Sequence, residues 1–336
     1  MKLDRLRAIL TRAANKRIAV AGDLMLDEFV WGKVGRISPE APVPVVEVSS
    51  ESFYPGGAAN VARNLREFTS EVQVIGTVGS DNSGQHLLDL LREHKIGTDL
   101  VLQDPDFRTI VKTRIIARNQ QVVRVDREVF RGPNPEQIEQ IARQVREILP
   151  RLDAFVFEDY GKGFLEPDLV RQLSQELRAA GKIATADPNP RRQIDWGEIT
   201  AVKPNRSEAL QAAGIAESDP VDPAMEDRAL LAAGLRLLSA WQAQMLLITL
   251  GEQGMLLLER NQPPHHIPTK ARQVFDVSGA GDTAIALFTL ALACEASPVE
   301  AAEIANHASA VAVGKLGTAT VTPAELLASF EDNESA

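Results

Sequence analysis

Short apolar segments alternate with amphipathic helical stretches through most of the 336 residues, and this alternation constrains the fold more than any other feature. Segments of four to five residues, rich in β-branched, aromatic and small apolar side chains, are typical of buried strands. They are Arg17–Ala21, Val72–Gly76, Ala154–Glu158, Ile183–Ala186 and Met245–Thr249. Because helical stretches separate them, they predict an α/β fold with a mostly parallel central sheet covered on both faces.

Two β-rich stretches interrupt this alternation. Val43–Val48 lies in a proline-rich segment, which favours an edge strand over a central one. Thr109–Ile116 and Val122–Asp126 are separated by a short polar turn and predict a hairpin. We expect these strands to form a small separate sheet, called the lid below, from segments at about 29–50 and 107–126.

Composition excludes several classes of function. The net charge of -10 argues against a nucleic-acid-binding surface, and the single cysteine, Cys294, excludes a disulfide framework or a cysteine-rich metal site. No apolar run approaches the roughly 18 residues of a membrane span, and the N-terminus lacks a signal-peptide pattern. We therefore expect a cytoplasmic protein with one domain over residues 1–330 and a frayed tail at 331–336.

The run Asp276-Val-Ser-Gly-Ala-Gly-Asp282 carries the strongest chemical signal, and an apolar helix follows it directly. Two glycines at the start of a helix leave backbone amides free to bind an anion. A carboxylate beside them would repel a resting phosphate, but it suits a base that takes a proton from an attacking hydroxyl. The alternative is a glycine-rich turn in which Asp282 caps the helix, and the run alone does not decide between the two.

Four elements, in order along the chain, resemble the signatures of the ribokinase, or PfkB, family of sugar kinases. They are Gly56-Gly57 with Asn60, Lys203-Pro-Asn-Arg-Ser-Glu208, Thr249-Leu-Gly-Glu-Gln-Gly254 and Gly279-Ala-Gly-Asp282. The resemblance implies a ribokinase-like three-layer sandwich with a small β-lid, and ATP-dependent phosphorylation of a sugar hydroxyl.

The resemblance also implies a role for each residue that matches these signatures. Asp282 would be the catalytic base, with the amides of Gly279, Ala280 and Gly281 around the transferred phosphoryl group. Residues implied near ATP are Lys203, Asn205, Glu208, Thr249, Gly251 and Gly254. Asn205 and Glu208 would organise Mg²⁺ through water, although simple helix capping is the alternative for both.

The acceptor sugar is expected at the carboxyl end of the first strand, where α/β sheets place ligands. The residues implied there are Asp23, Asp27, Gly56, Gly57, Asn60, Arg114 and Asp187. Carboxylates suit this role because each oxygen accepts hydrogen bonds from sugar hydroxyls. Many members of the family bind a monovalent cation, and the resemblance points to Asp276 and Ser278 as a candidate K⁺ site.

A narrower resemblance connects the chain to the heptose 7-phosphate kinase branch of this family. It is carried by Gly22–Asp27, Arg36–Val46, Arg118–Gln121 and Lys315–Thr318. It implies phosphorylation of D-glycero-β-D-manno-heptose 7-phosphate at O1, a step in ADP-heptose and lipopolysaccharide precursor synthesis. The chain lacks a His-x-Gly-His nucleotidyltransferase motif and so resembles a kinase-only member. Candidates for binding the 7-phosphate are Arg114, Arg118, Lys162 and Arg192.

Three alternatives remain open from the sequence. A kinase of the same family acting on ribose, fructose 6-phosphate or a ketodeoxy acid would differ only in its acceptor pocket. A nicotinamide-dependent oxidoreductase would need Gly-x-Gly-x-x-Gly after the first strand, whereas this chain has Ala21-Gly-Asp-Leu-Met-Leu-Asp27. A non-catalytic sugar sensor would not require Asp282.

Since related kinases pair through the lid, we also expect a homodimer.

Overall fold

The computed structural model describes residues 1–118, 120–192, 194–197, 199–271, 274–315 and 317–334. Its strands are β1 (Arg17–Gly22), β2 (Leu24–Ile37), β3 (Pro44–Gly57), β4 (Glu71–Gly79), β5 (Gly97–Asp104), β6 (Ile110–Ala117), β7 (Gln120–Arg127), β8 (Ala154–Glu158), β9 (Ile183–Asp187), β10 (Ala201–Val202), β11 (Met245–Thr249), β12 (Met255–Glu259) and β13 (His265–Ile267). Its α-helices are α1 (Leu3–Ala13), α2 (Ala58–Arg66), α3 (Asn82–Glu93), α4 (Pro135–Ile148), α5 (Pro167–Ala179), α6 (Arg206–Ala212), α7 (Arg228–Ala240), α8 (Ala280–Ala293), α9 (Pro298–Val313) and α10 (Pro323–Glu334).

Nine strands form the central sheet in the order β13-β12-β11-β10-β9-β8-β1-β4-β5. The strands from β11 to β5 in this order pair in parallel, whereas β12 and β13 add an antiparallel edge. Parallel strands need crossover connections, and the helices supply them. The predicted α/β sheet is therefore confirmed, and the carboxyl ends of β1, β8, β9 and β10 lie side by side at one edge.

The helices cover both faces of this sheet and give three layers. Ile18 and Val20 of β1 join the core beneath α1, α2, α3, α8, α9 and α10, whereas Ala19 and Ala21 join the core beneath α4, α5, α6 and α7. Successive residues of a strand point to opposite faces, so a strand buried on both sides has a continuous apolar sequence. None of the helices in the described ranges is long and apolar enough to cross a membrane.

The lid is a separate four-stranded sheet in the order β3-β2-β6-β7. The predicted hairpin corresponds to β6 and β7, which pair antiparallel. Two 14-residue strands, β2 and β3, provide the other half of the lid and extend well beyond the predicted segment at 29–50. We therefore define the lid by β2, β3, β6 and β7 from here on.

Several elements differ from the sequence-based expectation. β2 was not predicted because its exposed half lacks a continuous apolar pattern, and α10 was missed at the end of the chain. The helix continues through residues 331–334, which we expected to be a frayed tail, because Leu326 and Phe330 pack into the core. Asn119 and Leu316, in two of the heptose-kinase-like stretches, and residues 335–336 of the tail lie outside the described residues.

Gly22 allows the close approach of β1 and β8 just before Asp23. A Cβ atom on Gly22 would lie 2.1 Å from the carbonyl oxygen of Glu158. The two strands pair in register at this point, so neither backbone can move without disturbing the sheet. Glycine is therefore required where the central sheet meets the candidate site.

We expect Gly22→Ala to lower the free energy of unfolding by about 1–3 kcal/mol, as other overpacked sites do. Gly35→Ala is the matched control, because a Cβ at Gly35 meets no atom within 4 Å and should change stability by no more than about 0.5 kcal/mol. Urea unfolding of both variants measures the difference. Equal stability of the two variants would contradict the steric argument.

Candidate active site

Asp282 lies in the first turn of α8 and is buried beneath the carboxyl edge of the central sheet. The helix begins after Gly279, whose φ of 79° is in the left-handed region. One carboxylate oxygen of Asp282 accepts a hydrogen bond from Asn60 Nδ2 at 2.7 Å, and the other accepts one from the Tyr160 hydroxyl at 2.8 Å. The carboxylate is therefore fixed from two sides, by α2 and by the loop after β8.

Burial raises the pKa of Asp282 to about 6. The hydrogen bonds from Asn60 and Tyr160 oppose this rise because they stabilise the charged form. The charge of Asp187 raises the pKa further, whereas Lys203 lowers it. Asp282 is consequently ionised at neutral pH but holds a proton more readily than an exposed aspartate, as a general base should.

Asn60 is held in place by the packing of α2 against α8. Asn64 donates to the backbone oxygen of Asn60 at 3.0 Å and accepts from the hydroxyl of Thr283 at 3.0 Å. A Cβ on Gly279 would come within 3.0 Å of Asn60 Nδ2. The glycine therefore permits both the left-handed turn and the close approach of the asparagine.

Asp23 supports the loop that carries Tyr160. Its carboxylate accepts hydrogen bonds from the backbone amides of Tyr160, Lys162 and Phe164, at 3.1, 2.9 and 3.0 Å. Both oxygens are thereby engaged by the protein. The sequence predicts a sugar contact for Asp23, whereas its contacts in the structure are those of a residue that shapes the loop.

Lys203 and Asp187 form a buried ion pair at the ends of β10 and β9, with 2.7 Å between Lys203 Nζ and the Asp187 carboxylate. Burial acts to lower the pKa of Lys203, but Asp187 and neighbouring acids outweigh it and raise the pKa. Burial raises the pKa of Asp187 to about 6, with Lys203 opposing the rise. A Cβ on Gly281 would lie 3.5 Å from Lys203 Nζ. The ammonium group thus lies beside the predicted anion-binding turn.

The lid contributes Asp27, which pairs with Arg114. The Arg114 guanidinium also lies 5.1 Å from the centroid of the Phe29 ring. A Cβ on Gly56 would meet the Asp27 carboxylate at 2.3 Å, so glycine is needed for β3 to pass this side chain. Gly57 has a φ of 60° and begins α2, which carries Asn60. Apart from Asp187, which pairs with Lys203 at the end of β9, the predicted acceptor residues thus lie near the junction of the lid and the central sheet.

Three of the six predicted nucleotide residues border a cleft of about 640 Å³, whereas Lys203, Asn205 and Glu208 are not among the residues that line it. Thr249, Gly251 and Gly254 line one wall, and Ala280 and Gly281 line its end near the glycine turn. Other apolar side chains complete the cleft, among them Leu250, Met255, Val274, Val277, Ala310 and Val313. A mostly apolar cleft that ends in a helix N-terminus can hold a flat ring and an anionic tail.

Asn205 and Glu208 form a capping box at the start of α6. Asn205 Oδ1 accepts from the Glu208 amide at 2.9 Å, and the Glu208 carboxylate accepts from the Asn205 amide at 2.7 Å. The capping alternative is therefore realised for both residues. One carboxylate oxygen of Glu208 is outside this pair, and the charge of Glu208 acts on both Lys203 and Asp187.

Asp276 organises the turn before Gly279. Its carboxylate accepts from the amides of Ser278 and Gly317 at 2.9 and 3.1 Å. Burial acts to raise its pKa, but the hydrogen bonds prevail and lower it. Within the described ranges, no group of three or more His, Cys, Asp or Glu side chains could hold a metal ion alone.

Sequence reasoning did not predict the roles of Tyr160, Glu158 and Lys112. Tyr160 lies in the loop after β8, and its hydroxyl donates to Asp282. Glu158 is buried, and burial followed by the charges of Asp187 and Asp282 raises its pKa. Lys112 lies on β6 with its ammonium 5.4 Å from the Tyr160 ring centroid. The sequence did offer one indication for Tyr160, because it directly follows a predicted parallel strand, where ligands bind. Lys112 offered none, because in the sequence it looks like any other lysine in a strand.

The fold is similar to that of solved sugar kinases. Phosphofructokinase-2 from Escherichia coli in complex with potassium matches with a TM-score of 0.76 at 19% identity, covering 95% of this chain and 99% of that one. Ribokinase from Arabidopsis thaliana, complexed with ribose and ATP, matches with a TM-score of 0.70 at 17% identity, covering 94% and 99%. At these identities the likeness establishes the ribokinase-like fold.

Curated relatives are similar over nearly the whole chain. The "Bifunctional protein HldE" of Caulobacter vibrioides is 45% identical over 97% of this chain and 66% of its own length. The proteins of the same name from Desulfatibacillum aliphaticivorans and Geobacter metallireducens are 41% and 40% identical, over 94% and 100% of this chain. The chain spans 63–67% of the length of these relatives.

The family resemblance seen in the sequence is confirmed by a match over most of the chain. The profile of the pfkB family carbohydrate kinases matches residues 15–325. These residues include the whole central sheet, the lid and every predicted site residue. The chain therefore belongs to the pfkB family of carbohydrate kinases.

Proposed function

We propose that the protein transfers the γ-phosphoryl group of ATP to a sugar hydroxyl, with Asp282 as the catalytic base. The observation that carries this proposal is the Asp282 carboxylate, buried at the start of α8, held by Asn60 and Tyr160, with a pKa raised to about 6. Asp282 would accept the proton of the acceptor hydroxyl as its oxygen attacks phosphorus. The bond from phosphorus to the ADP oxygen then breaks.

The glycine turn would stabilise the transferred group. Gly279 places the start of α8 beneath the site, and the amide of Gly281 lies in the first turn, where amides have no acceptor within the helix. The amide of Ala280 already donates to the Val277 oxygen at 3.3 Å and would be shared with a phosphate. Lys203 lies close enough to Gly281 to contribute its charge.

Membership of a kinase family implies a nucleoside triphosphate and a divalent metal ion, and we propose ATP with Mg²⁺. The donor set fits Mg²⁺ bound mainly by phosphates and water, since Asn205 and Glu208 offer oxygens but are partly engaged in the capping box. Mg²⁺, when bound, would neutralise phosphate charge. Thr249, Gly251 and Gly254 would border the adenine, with Val274 and Val277 as apolar cover.

A monovalent cation site at Asp276 and Ser278 is part of the proposal. One of the fold's neighbours is described in complex with potassium. The Asp276 carboxylate already accepts hydrogen bonds from the amides of Ser278 and Gly317, and a cation bound beside it would further stabilise this turn. Activity in KCl compared with tetramethylammonium chloride at equal ionic strength tests this part of the proposal.

The proposed acceptor is D-glycero-β-D-manno-heptose 7-phosphate, phosphorylated at O1. Relatives that are 40–45% identical bear the name HldE, and Arg36–Val46 resembles heptose 7-phosphate kinases in particular. Asp27, Asn60 and the backbone at Gly56 and Gly57 would contact the sugar. Another sugar of the same family is the second candidate, because the chemistry at Asp282 would be unchanged.

We also propose a homodimer formed through the lid. Large apolar side chains are exposed on it, namely Ile37, Val43, Val48, Val122, Val123 and Val125. The outer strands β3 and β7 present unpaired edges, and exposed sheet edges are usually covered. A partner on the lid would bury these side chains and exclude water from the acceptor site.

Asp282→Asn should lower kcat by about 10²- to 10⁴-fold, the range for loss of a general base. A coupled ATP-consumption assay with heptose 7-phosphate, ribose and fructose 6-phosphate measures both this loss and acceptor preference. Asp168→Asn, in the first turn of α5 and exposed, is the control and should leave kcat unchanged. Near-normal turnover by Asp282→Asn would refute the assignment of Asp282 as the catalytic base. If the wild type phosphorylated another sugar and not heptose 7-phosphate, only the proposed acceptor would be refuted.

Tyr160→Phe should move the acidic limb of the kcat/KM profile to higher pH. The base acts when ionised, so activity is lost as pH falls through its pKa of about 6. Losing the hydroxyl removes a hydrogen bond that favours the ionised form, so the pKa of Asp282 should rise further. A uniform loss of rate at every pH, with the limb unmoved, would mean that Tyr160 only supports the loop.

The double variant Val123→Glu with Val125→Glu should convert the dimer to a monomer, because it places charges in the proposed apolar contact. Light scattering over a range of concentrations measures the mass. Leu235→Glu, at an exposed apolar position on α7, is the control and should remain dimeric. A wild-type monomer at working concentration would rule out the proposed dimer.

A further inference from the structure

Lys112 is an unpaired cation on the inner part of the lid. It lies on β6 in register with Asp27 of β2, and its side chain is partly buried. Its ammonium group contacts the face of the Tyr160 ring but forms no hydrogen bond or ion pair with the described residues. Burial, followed by the nearby charge of Lys162, lowers its pKa. A partly buried cation beside another cation is unfavourable unless an anion joins them.

The carboxylates around Lys112 are each already paired with a different cation. Asp27 pairs with Arg114, Glu128 pairs with the Lys162 ammonium at 2.8 Å, and Asp126 pairs with Arg124 at 2.9 Å. Among the described residues, each of the three carboxylates that act on Lys112 thus has another cation as its partner. The surplus positive charge belongs to Lys112, and it is placed between the lid and the loop after β8.

We propose that Lys112, together with Lys162, binds the phosphate group that the acceptor sugar already carries. This inference rests on the proposed function and deepens it by assigning the residues that select a phosphorylated acceptor. Tyr160 contacts both the proposed base and Lys112, since its hydroxyl donates to Asp282 at 2.8 Å and Lys112 Nζ lies 5.4 Å from the centroid of its ring. A sugar with its reacting hydroxyl at Asp282 and its phosphate at Lys112 would therefore lie along the Tyr160 side chain.

The other basic residues predicted for this phosphate are engaged or more distant. Arg114 is paired with Asp27 and stacked on Phe29. Arg192 donates to the Leu165 oxygen at 3.0 Å and pairs with Glu166 at 3.7 Å. Arg118 is exposed at the turn between β6 and β7. Of Arg114, Lys162 and Lys112, Lys112 is the one without a carboxylate partner among the described residues, and Lys162 would add its charge while it stays paired with Glu128.

Lys112→Met removes the charge while keeping the length of the side chain. We expect the KM for heptose 7-phosphate to rise about 10- to 100-fold, as for loss of a charged hydrogen bond, with kcat changed by less than about twofold. With the same heptose lacking its phosphate, kcat/KM should be equal for wild type and variant. Lys112→Arg, which restores the charge, should recover most of the affinity. Lys33→Met, at an exposed lysine on β2, should match wild type for both acceptors.

Two outcomes would overturn the inference while leaving the proposed function intact. One is an unchanged KM for heptose 7-phosphate in Lys112→Met, and the other is an equal loss with the unphosphorylated heptose. If wild type does not phosphorylate heptose 7-phosphate, the proposed function fails instead. In that case, calorimetric titration with fructose 6-phosphate and with fructose tests whether Lys112 belongs to a phosphate-binding subsite. Selective loss of fructose 6-phosphate binding in Lys112→Met supports it, and equal binding by wild type and variant refutes it.

Discussion

The concentration of buried carboxylates at one edge of the central sheet determines how the rest of the site is built. Asp23, Glu158, Asp159 and Asp282 are all buried there, and burial raises the pKa of each. The parallel topology produces this arrangement, because neighbouring strands end at the same edge. Lys203 is the buried ammonium within this group. On the α8 side of this edge, the helix N-terminus and Lys203 offset the negative charge, which favours an anionic ligand there.

Burying these charged carboxylates is unfavourable, and hydrogen bonds to Asp23 and Asp282 offset part of that free energy. The same hydrogen bonds fix the position of the elements that donate them. Asp23 binds three amides of the loop after β8, and the loop in turn places the hydroxyl of Tyr160 on Asp282. From the opposite side, α2 places Asn60 on the same carboxylate. In its proposed role as base, the Asp282 carboxylate would need no rearrangement on accepting a proton, because donors from α2 and from the loop after β8 already hold it, and such preorganisation favours catalysis.

The sequence predicted the elements that have strong local patterns. The apolar strands of the central sheet and the glycine turn before Asp282 follow from short-range chemistry. Asp23 was predicted as a sugar contact because the sequence shows that it follows β1. The amides that donate to its carboxylate belong to residues 160–164, and the sequence does not show that this distant loop folds against Asp23. The importance of Lys112 depends on which carboxylates are already paired, and such pairing is a property of the assembled lid. β2 was missed because half of its length faces solvent.

The division of the site between two sheets suggests how sugar binding and phosphoryl transfer are coordinated. Asp282, Lys203 and the walls of the nucleotide cleft belong to the central sheet and its helices, whereas Asp27, Arg114 and Lys112 belong to the lid. β1 leads into β2 at Asp23, and β3 leads through Gly57 into α2. A sugar that contacts both bodies stabilises the arrangement in which they are closest. In the proposed mechanism, the binding energy of the sugar would exclude water from the phosphoryl group before Asp282 takes the proton, so that transfer to the sugar would be favoured over hydrolysis.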